Sequence, residues 1–460
     1  MSPPKSLAAY QDTYTKFRAK CRSNHIPISP LEEAELGDCI ESTRHDLQNR
    51  SGSSAQDLLL SKTLDYQTSL LAPIRRLPPE IYSHIFSIFA SISTSSGFNV
   101  HLDVRRSLKY HKPRKMLFGA VFTLTWVCSS WRAQAILQSD LWASLNLVIR
   151  ENKDMLDNEG KELWSFLREC ILRAGDFVPL DLRLDLPPTF PLYPDTLGAF
   201  ECLMIHAHRW RRLIVDTAQL QIYFEFLKRL AASTKLSYPL MLPSLEEIRI
   251  NFQQGTTPDE RIMATATLFS ESFPSCPRLQ TIGMSHLMLN GQFDRFFQNL
   301  TVLEIGRFGG RSFAHLLGRC PLLRSLTIHD FRRTEDLSSS PSDPCCFCHA
   351  HLSALTLEIG EYFPKGVWAD DALCLPSLSE LSVSFGEIYF DDFESTPSFS
   401  HMQKVALYEL RGMLVRSQCR LRLVKVYKET VHGYCAAQNA IDEFLASIPL
   451  RSDAVCLELE

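Results

Sequence analysis

The sequence predicts an α/β protein in which a small helical module precedes an irregular stack of parallel strands. Two observations carry this. Between Pro73 and Asn146 apolar residues recur twice at helical spacing. From Leu242 onward a short motif recurs, a leucine followed three residues later by an apolar residue and then by apolar alternation. At 460 residues and 45% hydrophobic content the chain is long enough to bury a large core or several smaller ones.

Residues 1–72 read as a partly disordered, loosely helical region. Leu36, Ile40, Leu47, Leu58, Leu59, Leu64, Leu70 and Leu71 suggest broken amphipathic helices, interrupted at Ser51-Gly52-Ser53-Ser54. They would form a helical hairpin or a self-associating arm, with disorder concentrated before Pro30.

Residues 73–147 form the helical module. Pro78 and Pro79 suit a first helical turn, where a missing N–H costs nothing, and Glu80 places a negative charge at the positive end of the dipole. Leu77, Ile81, Ile85 and Phe89 recur every four residues, and Phe86 and Ile88 widen the stripe. In the second half Leu124, Val127, Cys128, Trp131 and Ala135 share a face, and Asp140 is positioned to cap a last turn holding Leu141 and Trp142. Residues 91–119, which include R-R-S-L-K-Y-H-K-P-R-K, show little apolar periodicity and read as a loop insertion, whose closure entropy grows only logarithmically with length.

These words, L-P-P-E-I-x-x-x-I-F, then V-C-x-x-W-R, then L-W, resemble the F-box, and the leader I-R-R-L-P-P-E is similar to the version common in large fungal F-box families. In that family the module docks on a Skp-type adaptor of cullin-RING ubiquitin ligases. The two halves usually lie closer together there than they do here. The resemblance implies an adaptor-binding surface of Leu77, Pro78, Pro79, Glu80, Ile81, Ile85 and Phe86, with Val127, Cys128, Trp131, Leu141 and Trp142 supplying the other half or the module's core.

Residues 148–460 change texture. L-N-L-V-I-R (145–150) and V-P-L-D-L-R-L-D-L (178–186) alternate as strands, with a helical segment over 161–175 between them that ends at a glycine. F-E-F-L-K-R-L (224–230) reads as a helix. Aligning Leu245, Leu279, Leu300, Leu323, Leu352 and Leu378 gives intervals of 34, 21, 23, 29 and 26 residues. H-R-W-R-R-L-I-V (208–215) reads as an earlier, degenerate copy and V-A-L-Y-E-L (405–410) as a later one. Residues 420–427 and 454–460 read as closing strands and 441–448 as a closing helix. The pattern resembles irregular leucine-rich repeats: parallel strands, with helices or coils on the convex side, that bury their apolar edges only by stacking. The asparagine of tight repeats is missing, so an irregular ladder is expected.

The formal charge of −4 and pI near 6.4 give no global attraction to nucleic acid or anionic lipid. No apolar run approaches a membrane span, and the opening residues have no signal-peptide core, so an intracellular protein, cytoplasmic or nuclear, is expected. Fourteen scattered cysteines read as reduced, mostly buried thiols. No nucleotide-binding, nucleophile-elbow or zinc-protease motif occurs, and Asp370-Asp371 and Asp391-Asp392 read as solvated pairs. Cys345, Cys346, Cys348, His349 and His351 include a C-x-x-C spacing, yet no second ligand pair is evident, and loop thiols beside repeat-edge histidines are the reading preferred over zinc. Arg105, Arg106, Lys109, Lys112, Arg114 and Lys115 read as a solvated basic loop, with nuclear import or phosphate binding the alternatives.

The reading is therefore a non-catalytic substrate receptor without cofactor. Its expected partners are a Skp-family adaptor, through it cullin, and an unknown protein target on the concave strand face. A repeat scaffold outside ubiquitination is the alternative.

Overall fold

The computed structural model describes residues 7–23, 29–49, 54–93, 97–106, 113–149, 156–186, 202–217, 242–252, 276–288, 294–310, 313–333, 347–359, 373–385, 399–427 and 438–459. These fall into two compact units. One holds 1–147 with 166–178, and the other holds 148–165 with 179–460.

The first unit begins with three helices, α1 (Leu7–Arg22), α2 (Pro30–Gln48) and α3 (Ser54–Leu71). Composition suggested disorder before Pro30, but α1 lies there. Its Phe17 and Cys21, four residues apart, join Leu36 and Ile40 of α2 and Leu70 of α3 in one buried cluster. Ser29 caps α2 by accepting the Glu32 N–H, and Pro30 opens it. Tyr10 adds a hydrogen bond from its hydroxyl to Asp46 at 3.1 Å.

A 3-10 turn over Pro73–Arg76 leads into α4 (Pro79–Ser93). Then follow β1 (Val100–Arg106), β2 (Pro113–Phe118), α5 (Ala120–Val127), α6 (Ser129–Leu137), α7 (Ser139–Trp142) and β3 (Ser144–Ile149). The insertion is therefore not a plain loop. β1 and β2 pair antiparallel with His101 opposite Phe118, and Phe98, Val100 and Leu102 are buried. The sparse apolar residues of 91–119 fall mostly in two short strands and in Phe98 just before them, so no helical period is present. Gly119, at φ 124°, turns β2 into α5; a Cβ there would lie 2.4 Å from the Asn99 carbonyl oxygen.

The second amphipathic segment of the module is two helices rather than one. The chain breaks at Cys128, which is extended (φ −159°, ψ 173°) and whose sulfur accepts the Trp131 N–H to cap α6. The final turn begins at Ser139, so Asp140 lies inside its first turn instead of capping it.

α8 (Leu156–Ala174) ends at Gly175 with φ 67°, a left-handed stop. The second unit then contains β4 (Leu180–Leu186), β5 (Trp210–Thr217), β6 (Glu247–Phe252), β7 (Thr281–Met288), β8 (Val302–Gly310), β9 (Ser325–Arg333), β10 (Ala354–Ile359), β11 (Glu380–Phe385), β12 (Leu421–Tyr427) and β13 (Leu450–Leu459). From β4 to β13 each strand pairs in parallel with the next in sequence. Between strands lie α9 (Asp294–Phe297), α10 (Phe313–Arg319), α11 (Phe399–Ser417) and α12 (Gln438–Ser447).

The repeat leucines Leu245, Leu279, Leu300, Leu323, Leu352 and Leu378 are all buried, as are the residues three and five places on, for example Leu303 and Ile305 after Leu300. Five of the six N–H groups close a turn onto the carbonyl three residues back. At Leu352 the N–H is instead taken by His349 Nδ1 at 3.1 Å. Without the asparagine of tight repeats, the rungs are joined mainly by backbone, with the Thr301, Ser353 and Ser379 hydroxyls also donating to the shared carbonyls of Gln280, Arg324 and Ser353. The carbonyls of Glu246, Gln280, Thr301, Arg324, Ser353 and Ser379 each accept two consecutive N–H groups from the following repeat. Trp210 takes the leucine's place at β5, where the degenerate copy was read. The later copy at 405–410 is corrected: those residues lie in α11, with Ala406, Leu407 and Leu410 buried at helical spacing. Leu421 is the next repeat leucine, with Val424 and Val426 behind it. The helix read over 224–230 lies outside the described residues.

Candidate functional site

Two surfaces stand out, one in each unit. On α4 the buried side is Tyr82, Phe86 and Ala90, spaced by four. The Tyr82 hydroxyl donates to the Ile74 carbonyl. Trp131 of α6 packs on Phe86 at 5.1 Å and on Tyr82 at 6.3 Å between ring centroids. These aromatics, Phe86 among them, fill the core rather than the adaptor surface expected of Phe86, and the stripe of Leu77, Ile81, Ile85 and Phe89 faces outward or lies half-buried. Ile81 and Ile88 are each 45% exposed and Ile92 is 78% exposed, while Ile85 is half-buried between them. Positions 81, 85, 88 and 92 share one helical face.

The other sequence-predicted residues divide accordingly. Leu77 is half-buried, and Pro78, Pro79 and Glu80 are exposed at the start of α4, where the Pro78 carbonyl accepts the Ile81 and Tyr82 N–H groups. Phe86, Leu141 and Trp142 belong to the core. Trp142 donates from Nε1 to the Ala135 carbonyl and lies under the Arg173 guanidinium. Cys128 and Trp131 are half-buried. Val127 is turned out at 55% exposure beside Trp126 at 69%, because the break at Cys128 removes it from the face that Leu124 buries.

The second surface is the sheet face opposite the leucines. Alternation sends Glu247, Arg249, Glu304, Thr327, His329, Thr356, Glu358, Ser382 and Lys425 to this side, all partly or fully exposed. Across β4–β10 its charges are tied to one another. Arg183 donates to Asp216 at 2.7 Å, and Arg211 and Arg212 reach Asp181. Arg249 bridges Glu247 and Glu304, crossing β7 over Gly283, where a Cβ would sit 2.9 Å from its Cγ. His329 lies between Glu304 at 3.9 Å and Glu358 at 3.0 Å. These carboxylates, one on each flanking strand, raise its pKa to about 9 against the opposing effect of burial. His329 above all, and Arg249 with it, hold the Glu304 carboxyl below its ordinary range.

Of the cysteine–histidine cluster, Cys345 and Cys346 lie outside the described residues. His349 is buried, donates from Nε2 to the Cys320 carbonyl at 2.9 Å and accepts the Leu352 N–H at Nδ1. Both ring nitrogens serve the repeat turn, and burial lowers its pKa. Cys348 is exposed and pairs by backbone with Cys374. No group of three metal-ligating side chains forms among the described residues. Of the basic run, Arg105 and Arg114 are register partners on β1 and β2, and Lys109 and Lys112 lie outside the described residues, as do Asp370, Asp371, Asp391 and Asp392.

A helical module followed by a parallel sheet with interleaved helices and coils, its strands β6–β12 each announced by a buried leucine, defines an α/β protein of leucine-rich-repeat-like architecture. No helix among the described residues is long and apolar enough to cross a membrane. No family model matches the chain, and no curated protein matches it.

Proposed function

We propose that this chain is a non-catalytic substrate receptor of an SCF-type cullin-RING ubiquitin ligase. The helical module docks on a Skp-family adaptor, and through it on cullin, while the open strand face holds a protein target. The F-box resemblance of residues 77–86, 127–132 and 141–142 motivates the reading. The single observation that carries it is the outward isoleucine stripe of α4, next to an exposed Pro78-Pro79-Glu80 start. A helix with aromatics in its core and isoleucines in solvent is built for a second apolar partner. Catalysis by such a receptor is proximity: the target is held near a charged conjugating enzyme, which raises its effective concentration.

The test is co-purification with a Skp-family adaptor, comparing wild type with Ile81→Glu/Ile88→Glu, with circular dichroism on both. Both positions are solvent-facing, so the double variant keeps its fold and loses the adaptor. Capture by neither chain transfers the reading to a repeat scaffold outside ubiquitination. Equal capture by both removes α4 from the interface.

A further inference from the structure

The open strand face is uneven in a way that points to what it binds. Over β4–β10 its charged groups are consumed by one another, as described above. Over β10–β12 Glu358 and Glu380 are paired in the same way, and Lys425 is left over. A depression of about 420 Å³ lies there, with Thr356, Ser382, Ser384, Lys425 and Tyr427 in its lining. Lys425 stands in register with Ser382, and Tyr427 with Ser384. Among the described residues Lys425 has no ion-pair partner, and the hydroxyls of Thr356, Ser382, Ser384 and Tyr427 have no hydrogen-bond partner. On the other side of Lys425 its register neighbour is Leu457 of β13, which offers no counter-charge. Four hydroxyls and one ammonium thus line one depression with their donors uncommitted.

The lining also includes Glu358 and Glu380, held by His329 and Arg422. They set the charge limit of the site. One carboxylate is matched by the single ammonium of Lys425, whereas a phosphate, with a charge of about −1.5 to −2, exceeds it.

We propose that this depression recognises a single Asp or Glu side chain in an extended segment of a partner protein. Lys425 takes the carboxylate, and the serine and threonine hydroxyls take neighbouring main-chain carbonyls. Tyr427 and Leu423 offer apolar contact on either side of the acid. The proposal rests on the reading of this face as the target-binding surface and names the chemistry it selects.

The experiment uses the full chain and short immobilised peptides with degenerate flanks and a fixed centre of Asp, Glu, Asn, Gln, Lys or phosphoserine. Wild type retains the Asp and Glu sets about tenfold better than their amide isosteres, the weight of one charge-assisted hydrogen bond. Lys425→Met, at an unchanged melting temperature, loses that preference, and Lys425→Glu transfers it to the Lys set. Retention of no set, equal retention of all, preference for phosphoserine, or a preference surviving Lys425→Met each overturns the proposal. Adaptor capture does not involve this face. A chain that captures the adaptor but shows no acid preference therefore refutes only this site. The converse result refutes only the ligase reading.

Discussion

Two histidines of the repeat unit respond to pH in opposite senses, and the difference lies in their neighbours. His329 gains two carboxylates on folding, so its folded pKa of about 9 exceeds its ordinary 6.5. Its contribution is fully present below pH 6.5 and is lost as pH rises through 9. Nuclear magnetic resonance titration should find its midpoint near 9, and His329→Gln should flatten the alkaline limb of the stability profile. A midpoint near 6.5 would remove the glutamate cage. His349 is held neutral by burial and two backbone partners, so its folded pKa lies below 6.5 and its contribution is lost as pH falls below that value. His349→Ala should cost about 1–3 kcal/mol in chemical denaturation, because the Leu352 N–H and the Cys320 carbonyl lose their partner. The thiols sort the same way. Burial pushes Cys170 and Cys320 up to about 12, whereas Cys39 and Cys348 are exposed. Brief maleimide treatment of the native chain should label Cys39 and Cys348 and spare the other two.

At the scale of elements, α4 makes the sharpest contrast. Phe86→Ala should lower stability by about 3–5 kcal/mol, since it empties the aromatic core around Trp131. Ile88→Ala on the outer face should cost less than about 1 kcal/mol. Equal losses from the two would mean that the isoleucine face is covered within the chain. The sequence made α4 legible as a helix but not its orientation. Isoleucines and aromatics occupy both sides, and periodicity alone does not say which stripe an aromatic ring from another helix will claim. The repeat strands were legible because each leucine is followed at fixed offsets by the residues that share its core. α11 was misread at Val405–Leu410 because six residues of apolar alternation fit a helix and a strand alike, and only the helical burial of Leu407, Leu410 and Leu414 decides. The donor-lined depression was invisible in sequence. It is assembled from strands up to 98 positions apart, His329 to Tyr427, and its meaning lies in which hydroxyls are left without partners.

Taken as a whole molecule, the repeat unit is a chain of neighbours, each strand resting on the one before it. Ile305, fully buried on β8, is a convenient probe. Ile305→Ala should cost about 2–5 kcal/mol and should accelerate amide exchange in β7 and β9 more than in β4 or β12. Uniform acceleration would instead indicate a single cooperative body. The rungs are joined chiefly by one main-chain oxygen taking two consecutive N–H groups, with the Thr301, Ser353 and Ser379 hydroxyls adding a further donor at three of them. Mutation therefore has little to break at that joint, and the stretches between rungs have drifted from 21 to 34 residues among the first intervals without disturbing it. The same separation frees outward side chains outside the ion-pair ladder, Lys425 among them, from duty to the scaffold. If the exposed face binds targets as proposed, a lineage carrying this array is able to exchange one for another by point substitution there, keeping its architecture while its clientele changes.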